Sequence, residues 1–322
     1  MEDIRMGFDV RTLADEINNV FNKSAEMRLE VLEQTGETRI APLILERFVT
    51  PNGGLTSKRN ATTGEQELFA QVVLPPEVLA RHAGLASEVR VVTHDMKVNS
   101  VELVNNALQV PVLKFITPKI KYELALLQMY MQSENPAIMF AELLKKAIGE
   151  AIIRRENIQT LKLLDTTDNN YKVTVTDKID KSVISNIVKK MASWRVFEGD
   201  RPTLVLKMSA LINSLPDATV AGDAVASEQY RTGMTLEHWG CKIVAVLDDV
   251  FDAAELDSSD TTLGFAVGSP KYVGRYVVLP DDRVFTLADY EDVTSIKVQS
   301  ARYAGFALLR DKVRVKLLTG GG

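Results

Sequence analysis

The stretch PAIMFAELLKKAIGEAIIRRENIQTLKLLD, residues 136 to 165, restricts the fold more than any other part of the chain. Pro136 suits the first turn of a helix, where its missing N–H is not needed, and Asn135 before it is a ready N-cap. No proline follows before Leu164. The stretch therefore predicts one helix of ~43 Å at ~1.5 Å per residue, longer than a small domain is wide. At 100° per residue, Ala137, Ala141, Leu144, Ile148 and Ile152 share one stripe, which Phe140, Ala147 and Ala151 widen. Beyond Ile152 that stripe carries Arg155, Gln159 and Lys162, and the apolar positions are Ile153, Leu161 and Leu164. The two halves are expected to pack in different directions. Glu142, Lys146, Glu150 and Arg154 form an i,i+4 rail of alternating sign, each exposed pair worth only ~0.3 to 0.5 kcal/mol. Lys145 and Arg154 point to opposite sides, so the basic pairs form no stripe for DNA and read as a solvated face.

Composition narrows the class. The 322 residues are 46% apolar and 25% charged, enough to bury a core. A formal net charge of −5 argues against a protein that grips nucleic acid through a basic surface. Cys241 is the only cysteine, so no intrachain disulfide can form, and small buried filler is its expected role. The opening MEDIRMGFDVRTLADE has no apolar core of a secretory signal, and no stretch approaches the ~20 apolar residues of a membrane span.

Along the chain, residues 10 to 33 predict a helix with Leu13, Ile17, Val20, Phe21 and Met27 on an interrupted stripe. PNGGLTSKRNATTGEQ (51 to 66) reads as a mobile loop, and Pro75 and Pro76 open a short helix over Glu77 to Ala86. Residues 89 to 123 are rich in β-branched residues and predict strands. YKVTVT (171 to 176) is a strand, 181 to 195 an amphipathic helix, and RPTLVLKMSALINSL a strand running into a helix. WGCKIVAVLDD is a strand followed by an acidic loop to Asp260. Most of the remainder is strand, and KVRVKLL alternates so that one face is wet. Gly320 to Gly322 read as a disordered tail. The class is α+β.

Chemistry is not evident. His82, His94 and His238 are scattered, and none sits at metal-ligand spacing from a partner. His94-Asp95 reads as structural. The acidic run Asp248, Asp249, Asp252, Glu255, Asp257 and Asp260 lacks the pattern of a calcium loop. GSPKYVGR (268 to 275) lacks the Gly-Lys-Ser/Thr of a phosphate loop, and there is no nucleophile elbow. No cofactor is expected.

The order of elements resembles that of tailed-phage major capsid proteins of the Hong Kong 97 fold, over roughly residues 75 to 318. VLPPEVLARHAGLASEVRVVTHDMKVNSVEL, LQVPVLKFITPKIKYELALLQ and the long helix with its RREN ending resemble the front half. PTLVLKMSALINSL, HWGCKIVAVLDD, LGFAVGS and ARYAGFALLRDKVRVKLL resemble the back half, with Asp311 where many relatives carry a proline. The resemblance implies an α+β fold with a peripheral domain, an axial domain, a long spine helix, an extended loop and an N-terminal arm. It divides the chain into an arm (1–35), an extended loop with flanking strands (36–120), a peripheral domain (121–181 and 281–304, with the spine helix at 136–164), an axial domain (182–280 and 305–318) and a tail (319–322). It implies no enzyme but a structural protein of the virion capsid. Such a protein assembles in the host cytoplasm into pentamers and hexamers of an icosahedral head around double-stranded DNA. Its partners are copies of itself, a portal, and a scaffold or decoration protein, with no membrane. The residues it points to for assembly are Val20, Met27 and Leu32 in the arm, Asn52, Gly53, Gly54, Lys58 and Arg59 in the loop, and Glu142, Lys146, Glu150 and Arg154 on the spine. The alternatives are an encapsulin-type nanocompartment shell, a cofactor-free α+β hydrolase, and a binding module with a deep apolar pocket.

Overall fold

The computed structural model describes residues 10–23, 38–51, 54–62, 64, 66–82, 108–123, 136–176, 178–197, 201–214, 236–238, 240–257, 261–280, 284–292 and 295–320. The helices are α1 (Val10–Lys23), α2 (Ala41–Ile44), α3 (Pro76–His82), α4 (Pro136–Leu164), α5 (Lys181–Ala192), α6 (Met208–Ser214), α7 (Asp248–Ala253) and α8 (Pro270–Val273). The strands are β1 (Glu46–Val49), β2 (Leu55–Arg59), β3 (Gln66–Val72), β4 (Leu108–Ile116), β5 (Ile120–Glu123), β6 (Lys172–Val175) and β7 (Thr203–Lys207). After them come β8 (Leu236–His238), β9 (Cys241–Val246), β10 (Thr262–Val267), β11 (Gly274–Val278), β12 (Phe285–Asp292), β13 (Ser295–Leu308) and β14 (Arg314–Thr319). One sheet has the order β1-β11-β13-β4-β3-β2, with β12 and β5 also on β13; the other runs β6-β14-β10-β7-β9-β8.

The chain forms two units, one of Met1–Thr38, Leu113–Glu156 and Leu279–Ala304, the other of Arg39–Val112, Asn157–Val278 and Gly305–Gly322. Three of the divisions fall inside elements, in β4, α4 and β13. In the first unit β12 and β5 pair antiparallel with β13. Arg302 of β13 and Glu156 of α4 form an ion pair buried from water on both sides. In the second unit β7 and β9 are parallel, and β10 lies antiparallel between β7 and β14. Gly264 allows this close pairing, since a Cβ there would lie 2.2 Å from the Val205 carbonyl oxygen.

α4 has the expected bounds, and its buried face does turn. Leu144, Ile148 and Ile152 are buried in the first half, and Ile153, Leu161 and Leu164 in the second, while Arg155 and Lys162 are exposed. The arc turns by about 100°, one residue step, through Lys145, Gly149, Glu156 and Thr160, all of them buried. Ala147 and Ala151, expected to widen the stripe, are therefore exposed, and Lys145, expected in solvent, is buried. Alanine is small enough to sit on either side of a helix, so its position carried little information.

Other expectations also change. Leu55–Arg59, within the expected loop 51 to 66, is a strand paired antiparallel with Gln66–Ala70. Thr56, Ser57, Lys58 and Arg59 are polar because they lie exposed on an edge strand, as charged edges usually do. The acidic run does not start as a loop: Asp248 and Asp249 open α7, where carboxylates meet the positive end of the helix. Asp248 Oδ1 also accepts from the Ser209 N–H at 3.0 Å. β14 has no wet face, since Arg314 and Lys316 are buried as deeply as Val315 and Leu317. Gly320, expected in a disordered tail, donates its N–H to the Val175 carbonyl at 2.7 Å. Of the two helices expected over 10 to 33 and Glu77 to Ala86, Val10–Lys23 and Pro76–His82 are seen, and residues 24–33 and 83–107 lie outside the described residues.

Candidate assembly surfaces

Three surfaces carry the residues singled out for assembly. On α4, Lys146 and Glu150 approach to 4.0 Å with both side chains well exposed, and Arg154 is half-buried. Glu142 lies in the same helix, but its side chain is outside the described residues, so the rail is described only from Lys146 onward.

The β2–β3 hairpin brings Lys58 and Arg59 together. Lys58 Nζ donates to Gln109 Oε1 at 2.8 Å and sits 5.7 Å from the centroid of Phe69. Arg59 Nε donates to the Gly64 carbonyl at 3.1 Å. The turn is fixed by Asn60, whose Oδ1 accepts from the Thr62 N–H at 2.8 Å and whose Nδ2 donates to Glu67 Oε1 at 2.6 Å. An Asn side chain that replaces a backbone partner in this way stabilises a tight turn. Gly54 donates its N–H to the Pro51 carbonyl at 2.8 Å. Asn52 and Gly53 lie outside the described residues.

The helix α1 is anchored to its own unit. Asn18 Nδ2 donates to the Ala288 carbonyl, and its Oδ1 accepts from the Ala288 N–H, each at 2.7 Å. The amide thus occupies both backbone groups of one residue of β12, as a neighbouring strand would. Ala14 and Ile17 are buried in the same helix. Val20 belongs to α1 with its side chain outside the described residues, as are Met27 and Leu32 altogether. Sequence reasoning passed over Asn18, because an Asn on a helix surface is common and only the position of β12 gives it a partner.

Side chains in the first unit's sheet leave one face apolar and open. Phe285 and Leu287 on β12 and Ile116 on β4 are exposed, Leu287 by 62%. Tyr303 meets Phe285 edge to face at 6.4 Å, and Lys114 Nζ lies 5.8 Å from the Tyr303 centroid.

The end of α4 is held by a charged cluster. Arg314 donates through Nε to the Leu164 carbonyl at 3.0 Å and through Nη2 to the Asp165 carbonyl at 3.1 Å, so a cation sits on the negative end of the helix. Asp311 holds that guanidinium at 3.0 Å and accepts the Val313 N–H through its carbonyl at 2.8 Å, which makes the corner before β14. Lys316 Nζ meets Asp165 Oδ1 at 2.6 Å and also donates to the Asp257 carbonyl. The alternation of KVRVKLL gave no sign of this, because every partner except Asp311 lies more than fifty residues away.

Among the described residues no group of His, Cys, Asp and Glu could hold a metal ion, and no helix is long and apolar enough to cross a membrane. His82 and His238 belong to different elements, and His94 lies outside the described residues. Cys241 is buried, and burial pushes its thiol pKa up. Asp180 caps α5 by accepting the Val183 N–H at 2.9 Å; this bond, and the Ser182 hydroxyl, hold its carboxyl below the usual range. A groove of about 510 Å³ lies along α5, with Ile184 and Val188 among its lining and Lys181, Lys189 and Arg201 around it. Gly240, at φ 73°, turns the chain there, and a Cβ would meet the Arg201 side chain at 3.2 Å.

No family model matches the chain, and no curated protein matches it. Solved structures do. A chain of the Cyanophage Pam1 capsid asymmetric unit is 12% identical, with 88% of this chain and 92% of that one covered at a TM-score of 0.51. A chain of Microbacterium phage Oxtober96 is 10% identical, with 87% and 91% covered at 0.50. A chain of the holo-SrpI encapsulin complex from Synechococcus elongatus is 8% identical, with 85% of each covered at 0.45. The chain has the α+β capsid fold of the Hong Kong 97 type, a fold it shares with the Pam1 and Oxtober96 chains.

Proposed function

We propose that the chain is a shell-forming structural protein, the major capsid protein of a phage, assembled in the host cytoplasm into pentamers and hexamers of an icosahedral head around double-stranded DNA. The observation that carries this reading is the likeness to the Pam1 capsid chain over 88% of this chain and 92% of that one, at a length that leaves little of either unmatched. The exposed hairpin with Lys58 and Arg59 and the open apolar face around Leu287 support it, since a subunit of a shell completes its burial on neighbouring copies. In this reading residues 1–35 are the arm and 36–120 the extended loop with its flanking strands. The peripheral domain is 121–181 with 281–304, the axial domain 182–280 with 305–318, and 319–322 the tail. Val20, Met27, Leu32, Asn52, Gly53, Gly54, Glu142, Lys146, Glu150 and Arg154 join the two hairpin cations at contacts between copies. A portal, and a scaffold or decoration protein, complete the partners.

Sedimentation and negative-stain microscopy of the purified protein test the proposal. Closed shells or ring-shaped capsomers are expected, and a monodisperse monomer at high concentration overturns it. Particles isolated from cells should hold nuclease-protected DNA; protein cargo in its place would assign the chain to the encapsulin-type shells.

A further inference from the structure

Among the described residues, the groove along α5 is lined by Lys181, Ile184, Ser185, Val188, Lys189, Arg201 and Gly240. Its floor is apolar, from Ile184 and Val188, and its rim basic, from Lys181, Lys189 and Arg201. Both lysines are exposed. The second unit also offers the complementary chemistry. Leu247, which precedes α7, is an apolar side chain left 45% exposed, and the exposed carboxylates of Asp249, Asp252 and Glu255 follow it in sequence. Asp252 and Glu255 touch Lys207 at 2.9 Å and Lys162 at 3.6 Å, surface pairs of a kind that contribute little and exchange partners readily.

The two features lie on opposite faces of one sheet. α7 is on the face of Phe265, on which Phe251 stacks at 6.3 Å, and Lys316, the Cα partner of Phe265 in β14, donates to the Asp257 carbonyl on that same face. Strands β6 and β7 are parallel, and the chain crosses from β6 to β7 past β14 and β10 before it makes β8 and β9. A right-handed crossover from β6 to β7 places α5 on one face of the sheet. The start of α5 also meets the end of α6, where the Ile179 N–H donates to Ser214 Oγ at 3.1 Å. β7 and β14 are buried on both faces, Val315 and Leu317 as fully as Lys316. With α7 and the end of α4 on one side, α5 and α6 cover the other.

A knob on one face and a groove on the opposite face cannot meet within one molecule. Between copies they join head to tail, and such a contact closes into a ring when the rotation per copy divides a full turn. We propose that the α5 groove receives the Leu247–Glu255 segment of a second copy of this chain, with Leu247 on the apolar floor and its carboxylates against Lys181, Lys189 and Arg201. This rests on the shell reading and gives it a specific contact, the one that repeats around each pentamer or hexamer.

Two cysteine substitutions test it, Ser185→Cys on the groove and Ala253→Cys on α7, both at exposed positions. A short bis-maleimide is added to assembled particles, and the products are resolved under denaturing conditions. The expected result is a ladder of covalent oligomers from the double variant and none from either single variant. Products from Ser185→Cys alone would mean that groove meets groove, and would overturn the proposal. Absence of a ladder in particles that microscopy shows to be intact would overturn it and leave the shell reading standing. Absence of particles from the unsubstituted chain would overturn both. In a second experiment, Lys181→Glu with Lys189→Glu lowers particle yield about tenfold through like-charge contact. Adding Asp249→Lys and Glu255→Lys to the same chain restores it, and failure to restore in a chain that still melts like the parent would overturn the charge pairing.

Discussion

At the residue scale, the cations of β14 show how charge is made tolerable inside a protein. A buried ammonium is costly unless paired and hydrogen-bonded, and Lys316 has a carboxylate and a carbonyl at its Nζ. Removing one partner is the damaging change. Asp165→Ala is expected to lower unfolding free energy by about 3 kcal/mol, because it strands Lys316. It also releases the Asp257 N–H, which Asp165 Oδ2 accepts at 2.7 Å. Adding Lys316→Met should recover most of the loss but leave about 1 kcal/mol for that second bond, as read by denaturant titration of the two variants. Asp180 gives a pH-dependent contribution. Its carboxyl is held below the usual carboxylate range by the Val183 N–H. A depressed folded pKa means that the stabilisation is present above the unfolded value and is lost as pH falls through the folded one. Asp180→Ala should therefore melt below the parent at neutral pH, and the two melting temperatures should converge in strong acid. A gap unchanged across that range would show that the cap acts without its charge.

At the element scale, α4 is one helix with two different buried arcs. Residues Pro136–Glu156 belong to the first unit and Asn157–Leu164 to the second, and the arc turns over the stretch from Lys145 to Thr160, which includes the division. The turn passes through Lys145, Glu156 and Thr160, polar residues that burial would disfavour without partners. Arg155 stands exposed beside the division. Arg155→Pro should cost about 3 kcal/mol or more, since it removes one helix hydrogen bond and clashes with the carbonyl four residues back. Arg155→Ala at the same exposed site should change stability by less than about 0.5 kcal/mol. Thermal melts of the pair separate the continuity of the helix from the loss of a side chain.

At the scale of the whole molecule, the surfaces left open by the two units are the ones that the shell reading fills. Lys58→Glu with Arg59→Glu alters only exposed positions on an edge strand. It should leave the melting temperature within a few degrees of the parent, as surface changes of ~0.5 kcal/mol do, while lowering the yield of particles in sedimentation. An equal fall in both would assign the hairpin to folding alone.

Much was legible in the sequence wherever the physics is local. Pro136, the unbroken run after it and the shift of apolar spacing past Ile152 fixed the length of α4 and the turning of its face, because helical periodicity depends on neighbours three and four residues away. The exchange from strand to helix at Lys207–Met208 and the amphipathic α5 were legible for the same reason. What the tertiary structure alone decided was every pairing across long separations. Lys316 finds Asp165, Asn18 finds Ala288, and Leu55–Arg59 becomes a strand because β3 lies beside it. Whether a charged residue on a strand faces water or a carboxylate depends on what the fold brings opposite it. That is set by the packing of distant segments, on which the residue's own neighbours in sequence have no bearing.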